Sequence, residues 1–255
     1  MKKLHTVLCT LVLMTMTFGL ASCFDAAENG YRVTVPTFAT VTYNEAGKVR
    51  LYLDEGRGIL DPSSESANIN WGSATRAIIK YDLPFITEDD VNMETVRFNS
   101  IVRSAAKIDT VPLVDVTGMD EYPSTLGNDT LLGYAFHAYW GYLTMQAFTA
   151  NNFAFDMTCT YDREEFDGQN LYLNLHYASK STGTWNYDFI QTASATLPDF
   201  LTEPGVMTSD TLNIYMMAPV WYNSARDSAY TDTVLFRIAR ERLTPPTYNS
   251  YGGIY

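Results

Sequence analysis

The chain has 255 residues, with 17 basic against 29 acidic side chains and a formal net charge of −12, and this shortage of cations disfavours binding to nucleic-acid phosphates. The acids are spread along the sequence, as on a solvated, self-repelling surface, and no block of them marks a cation site. With 18 tyrosines and 13 phenylalanines the composition suits pleated sheet better than helical bundles, and three cysteines are too few for a disulfide framework.

Lys2 and Lys3 precede an apolar run over 7–20 and small residues just before Cys23, so residues 1–22 have the layout of a signal peptide. The run is too short for a helix crossing about 30 Å of hydrocarbon, and no later stretch approaches the roughly 20 apolar residues that a span needs. Leu20-Ala21-Ser22-Cys23 reads as a lipobox, in which the Cys23 thiol receives diacylglycerol and cleavage leaves it as the first residue. The expected partner is therefore a membrane, reached through lipid on Cys23 at about 0.8 kcal/mol per buried methylene. The expected location is the cell envelope, at the outer membrane, with Asp25 and Glu28 giving a partial surface-export signal. Residues 23–30 are polar and read as a tether. Cys9 leaves with the leader, so Cys159 remains alone and no internal disulfide can form.

From residue 31 the pattern alternates as in β-strands: 32–35, then 38–43, a turn at Asn44-Glu45-Ala46-Gly47, and 49–53. A loop rich in Gly, Ser, Pro and Asn runs over 54–72. Further strands are predicted over 74–83, 95–103 and 109–116, making 31–116 an all-β domain of about five strands. The loop over 117–130 holds Gly118, Pro123, Gly127 and Asn128-Asp129 and reads as a linker. Beyond it, 131–243 carries predicted strands over 132–140, 142–150, 153–160, 171–178, 212–217 and 233–240. Short strands at this spacing, with turns at Asp167-Gly168 and Thr182-Gly183, imply a β-sandwich. The stretch 186–201 has poor apolar spacing and reads as irregular, and 244–255, with Pro245-Pro246 and Gly252-Gly253, reads as a loose tail.

Little of this sequence is organised for catalysis. His137 and His176 each sit alone on a predicted strand, where partly buried or surface histidines are commoner than metal ligands. Cys159 has no neighbouring CxxC, His or Asp cluster and reads as a buried, inert thiol. No G-x-S-x-G, H-E-x-x-H, Gly-rich phosphate loop or EF-hand loop occurs, so neither a cofactor nor a metal site is expected. Loop Asp and Asn oxygens are chemically suited to calcium, without a motif that calls for it. Glu88-Asp89-Asp90, Asp120-Glu121 and Glu164-Glu165 are the carboxylate sets a glycosidase would draw on, since it needs two acids about 5 to 10 Å apart. All three lie in polar loops, where solvated turns are the ordinary explanation. Aromatics crowd Tyr134, Phe136, Tyr139, Trp140 and Tyr142, with Trp185, Tyr187, Trp221 and Tyr222 later, and half of such rings on strands must face inward. Trp71, in the glycine- and serine-rich loop, and Trp221 and Tyr222, beside Pro219, are the candidate ligand-surface rings.

Two segments carry a family resemblance. Val49-Arg50-Leu51-Tyr52-Leu53-Asp54-Glu55-Gly56 runs on to Ala77-Ile78-Ile79-Lys80-Tyr81-Asp82-Leu83, and Trp140-Gly141-Tyr142-Leu143-Thr144-Met145 runs on to Asn170-Leu171-Tyr172-Leu173-Asn174-Leu175-His176. Their order and spacing resemble NigD-like lipoproteins of Bacteroides and its relatives. The resemblance implies a lipobox, then a small OB-like β-barrel, then a β-sandwich, and it carries no active site. It also associates the chain with bacteriocin-linked operons and the outer membrane. The barrel here is too poor in cations for nucleic acid, so that use of the fold is not imported. Together these readings give an all-β, non-catalytic envelope lipoprotein, a binding or assembly module that presents its two β domains to a glycan or a protein partner. The alternative is a carbohydrate-active hydrolase built on loop carboxylates.

Overall fold

Residues that alternate apolar and polar side chains bury one face of a strand, and the first such pair forms a hairpin. Strands β1 (Thr37–Tyr43) and β2 (Val49–Leu53) pair antiparallel, Val41 opposite Leu51. The Asn44 side chain closes their turn by accepting from the amides of Ala46 at 3.0 Å and Lys48 at 2.8 Å. This is a computed structural model, and it describes residues 36–83, 96–119, 126–127, 129–149, 155–180, 189–222 and 228–250. The signal peptide, Cys23, the tether and the strand expected at 32–35 lie outside the described residues, as do Glu88-Asp89-Asp90, Asp120-Glu121, Trp185, Tyr187 and the turn at Thr182-Gly183.

The described chain is all-β, with short 3₁₀ turns and no α-helix. It divides into two compact units, the first made of Met1–Lys107 and Thr247–Tyr255, the second of Ile108–Pro246. The division falls ahead of the 117–130 loop. Its cause is the pairing of β7 (Asp109–Thr110) and β8 (Leu113–Asp115), which join strands of the second unit in parallel ladders.

The first unit holds a six-stranded sheet in the order β5-β3-β2-β1-β4-β6, with β3 at Ile59–Pro62, β4 at Arg76–Tyr81, β5 at Arg97–Ser100 and β6 at Val102–Lys107. Its ladders do not close into a barrel. The two edge strands, β5 and β6, are nevertheless consecutive in the chain with Ile101 alone between them. Strand β3 arises inside the stretch expected to be loop: Leu60 pairs with Leu51 of β2, and β5 pairs with β3 in parallel. One face of the sheet supplies the core, including Val41, Leu51, Leu53, Leu60, Ile79 and Phe98. On the other face Arg76 is fully buried and donates to both oxygens of Asp54, and to the Thr40 hydroxyl at 2.8 Å.

The second unit has two sheets, β7-β13-β10-β9 and β15-β14-β12-β11-β8. Their further strands are β9 (Gly133–Tyr139), β10 (Tyr142–Thr149), β11 (Phe155–Tyr161), β12 (Asn170–Ser179), β13 (Phe189–Thr196), β14 (Thr211–Trp221) and β15 (Ala229–Ala239). A single apolar cluster draws on both sheets, with Phe136, Leu143, Met145 and Ala193 from the first and Cys159, Leu173, Leu175, Ile214 and Met216 from the second. Direct contacts join them: the Tyr134 hydroxyl donates to the Met216 carbonyl at 2.8 Å, and the rings of Phe136 and Phe236 lie 6.0 Å apart. Strand β13 occupies the stretch read as irregular, its inward Ala193 and Ala195 leaving little apolar signal. Between β9 and β10 the chain reverses on Trp140 and Gly141, at φ of 52° and 74°, the two positive values that a tight mirror-image hairpin turn requires. Trp140 is 1% exposed, with the Arg242 guanidinium 4.3 Å from its ring centroid, and a Cβ on Gly141 would meet Pro245 at 2.3 Å.

Candidate functional site

Trp71 lies on the connection from β3 to β4, and that connection is held down by the strands beside it. Ser63 donates its amide to the Ser100 carbonyl at 2.8 Å, Ala67 to the Val102 carbonyl at 2.9 Å, and Ser66 Oγ accepts from the Val102 amide at 2.9 Å. The indole is half-buried and packs partly on the core of the first unit. Beside it opens a hollow of about 390 Å³ lined by Ser63, Ser64, Ser66, Asn68, Ile69 and Val102, among others. Ser63 Oγ is buried there without a hydrogen-bond partner in the protein. A hydroxyl left unmatched in a buried position costs about 1–3 kcal/mol, and this one lies beneath the surface of the hollow, out of direct reach of a ligand. An apolar ring next to convergent hydroxyl and amide groups suits a ligand with one apolar face and a polar edge, which is the character of a sugar.

Trp221 and Tyr222 belong to the second unit, at the end of β14, and so do not join Trp71 in a single-unit site. Trp221 is half-buried. Tyr222 is 73% exposed, and its ring stands edge-on to the exposed Tyr230 across the β14–β15 pair, centroids 6.0 Å apart.

The outward face of the five-stranded sheet carries a third aromatic feature, absent from the candidates named above. Tyr172 and Tyr215, opposite each other on β12 and β14, stack at 5.1 Å with 18° between their planes. One row along, Asn213 donates to Asn170 at 2.8 Å and accepts from Arg237 Nε at 3.3 Å. Each tyrosine occupies an alternating strand position that the sequence shows, but parallel pairing of strands some 40 residues apart is not written locally.

The chemistry-bearing residues are scattered. His137 is on β9 and His176 on β12, strands of different sheets, so the two rings do not share a site. Burial lowers the His176 pKa, partly opposed by a hydrogen bond that the ring donates to the Gly127 backbone, and Thr160 Oγ1 sits 3.0 Å from its Nε2. Cys159 is fully buried against Met145, and burial pushes its thiol well above the ordinary range, which removes the thiolate a nucleophile needs. Glu164 and Glu165 lie side by side in an exposed 3₁₀ turn capped by Asp162. The adjacent hollow, about 380 Å³, has Asp167 as the one carboxylate in its lining, together with Arg163, Phe166, Phe200, Val206 and Thr208. A glycosidase pair facing across a groove is not assembled there. Among the described residues no cluster of three or more His, Cys, Asp or Glu is placed to hold a metal ion.

No protein-family model matches the chain, and no curated protein matches it. Solved structures do. An uncharacterized protein from Parabacteroides merdae superposes with a TM-score of 0.59 at 12% identity, over 82% of this chain and 100% of its own. A protein of unknown function from Bacteroides vulgatus superposes with a TM-score of 0.54 at 15% identity, over 85% of this chain and 96% of its own. A NigD-like immunity protein from Bacteroides caccae superposes with a TM-score of 0.55 at 15% identity, over 79% of this chain and 93% of its own. At such identities the likeness is one of fold, and in its fold the chain is NigD-like, as its strand segments imply.

Proposed function

We propose that this is a non-catalytic, lipid-anchored envelope protein that holds a glycan against Trp71. The observation that carries this reading is the hollow of about 390 Å³ lined by the half-buried indole together with serine and asparagine side chains. Sugars bind protein by stacking an apolar face on an aromatic ring while hydroxyls exchange hydrogen bonds at the edge, and this hollow offers both kinds of group.

The architecture we infer around it is an OB-like barrel followed by a sandwich. In support of the barrel, β5 and β6 with Ile101 make one bent segment that pairs with β3 at one end and β4 at the other. Counted as one strand, that segment completes a ring of five. In support of the sandwich, the two sheets of the second unit share one apolar cluster.

The test is a glycan array probed with the full chain and with Trp71→Ala. A specific glycan signal that falls at least tenfold in the variant is expected. Absence of any signal, or equal signals from both proteins, would reject the reading. A second reading takes a protein as ligand, following the immunity role named for the Bacteroides caccae protein. The exposed Tyr222 and Tyr230 rings favour that contact. In that case Tyr222→Ala, and not Trp71→Ala, weakens capture.

A further inference from the structure

Side chains on the face of a sheet turned away from the core are ordinarily solvated, yet in the first unit several polar ones are not, three of them on the adjacent strands β2 and β3. Arg50 is 3% exposed, Tyr52 0% and Asp61 4%, although their neighbours Leu51, Leu53 and Leu60 are the ones that enter the core. The chain's own C-terminal stretch lies on Arg50 and Tyr52. Tyr52 Oη is 2.8 Å from the Thr247 carbonyl oxygen and 2.7 Å from that of Ser250. Arg50 donates to the Tyr248 carbonyl, and its guanidinium carbon is 4.0 Å from the centroid of the Tyr248 ring. Residues 247–250 are themselves a closed turn: the Ser250 amide donates to the Thr247 carbonyl at 3.0 Å, and the Thr247 amide to Ser250 Oγ at 2.9 Å.

We propose that the outer face of β2, β3 and β5 is a docking site for a tyrosine-bearing β-turn of a polypeptide, occupied in cis by residues 247–250. The receptor side carries ion pairs of its own. Asp61 accepts from Arg50 Nε at 2.7 Å and from Arg97 Nε at 2.7 Å, so the guanidinium that reads the tyrosine is already fixed in place. Recognition falls on main-chain carbonyls and one aromatic ring, with no strand ladder to the segment, so another turn presenting a tyrosine meets the same contacts. The Tyr52 hydroxyl proton serves one of the two close carbonyls, and the Thr247 carbonyl also accepts from the Ser250 amide, so the turn presents its own hydrogen-bond pattern to the face. The cis turn wins through its high effective concentration, and an external turn gains access when the cis contacts are weakened. This site is separate from the Trp71 hollow, and its fate in the test below does not depend on glycan binding.

The probe is a fluorescein-labelled, amide-capped peptide Pro-Pro-Thr-Tyr-Asn-Ser, the sequence of residues 245–250, titrated by anisotropy against the full chain and its Tyr248→Ala variant. The variant is expected to bind the peptide at least tenfold more tightly than the wild-type chain, whose site is filled. Adding Arg50→Gln to the variant is expected to abolish that gain. If Arg50→Gln disturbs the circular dichroism spectrum, the peptide carrying its own Tyr→Ala change supplies the same comparison on the folded Tyr248→Ala chain. Equal binding to wild type and variant, or binding indifferent to the tyrosine of the peptide, overturns the proposal. So does a wild-type dimer on light scattering that Tyr248→Ala dissolves, because the occupant is then the tail of a second copy.

Discussion

Arg76 and Asp54 face each other where neither can reach water, 0% and 2% exposed, whereas Arg57 and Glu55 make a comparable pair at 38% and 69%. The chemistry is the same and the environment differs, so the two pairs should differ in what they contribute. Removing one partner of a buried pair strands the other charge in a medium of low polarity, at a cost of about 3–5 kcal/mol. Exposed pairs are screened and contribute less than about 1 kcal/mol. Asp54→Ala is therefore expected to lower the urea-unfolding free energy by about 3–5 kcal/mol, and Arg57→Gln by under about 1 kcal/mol. Equal effects from the two substitutions would show that Arg76 finds water or another anion once Asp54 is gone. The sequence marks both pairs only as polar residues near turns. Burial separates them, and burial depends on strands brought together from 22 residues apart.

At the scale of elements, the alternation of 38–43 and 49–53 and the turn at Asn44 to Gly47 were legible because each depends on near neighbours. Strand β3 was not, since four residues ending in Pro62 pair only when β2 and β5 flank them. Strand β13 was missed for a different reason: Ala193, Ser194 and Ala195 are buried but small, and small side chains do not raise an apolar period. The tail was read as loose, whereas residues 247–250 form a turn docked on Tyr52, which is 195 residues upstream of Thr247. Asp61 shows how such distant strands are tied, because its carboxylate joins β3 to Arg50 of β2 and Arg97 of β5. Burial alone would raise its pKa, but hydrogen bonds from Arg50 and Arg97, with their charges, outweigh burial and hold it below the ordinary carboxylate value. A pKa lower in the folded than in the unfolded state adds stability above the unfolded value of about 3.9, and this is lost as pH falls toward the folded one. The thermal midpoint of the wild-type chain is thus expected to fall more steeply below about pH 4 than that of Asp61→Asn. Parallel curves between pH 2.5 and 7 would remove Asp61 as the acid-sensitive link.

For the whole molecule, the proposal to test is attachment to a membrane through lipid. No helix among the described residues is long and apolar enough to cross one. The net charge of −12 already includes Lys2 and Lys3, which depart with the leader expected over 1–22, so the remaining chain is more acidic still. An acidic protein gains nothing from anionic headgroups, whereas basic patches gain about 1 kcal/mol per cation. Lipid is the attachment proposed here, and a single acyl chain gives only marginal, reversible binding. The diacylglycerol proposed at Cys23, with a further acyl group on the freed amine, meets that requirement. Two results are therefore expected in cells fed labelled palmitate. The wild-type chain takes up label and stays with membranes through a high-salt wash, because no ion pairing holds it there. The Cys23→Ala chain takes up none, keeps its leader and runs at larger mass. Label retained in Cys23→Ala would place the lipid on another residue, and salt release of the wild-type chain would make its membrane contact electrostatic.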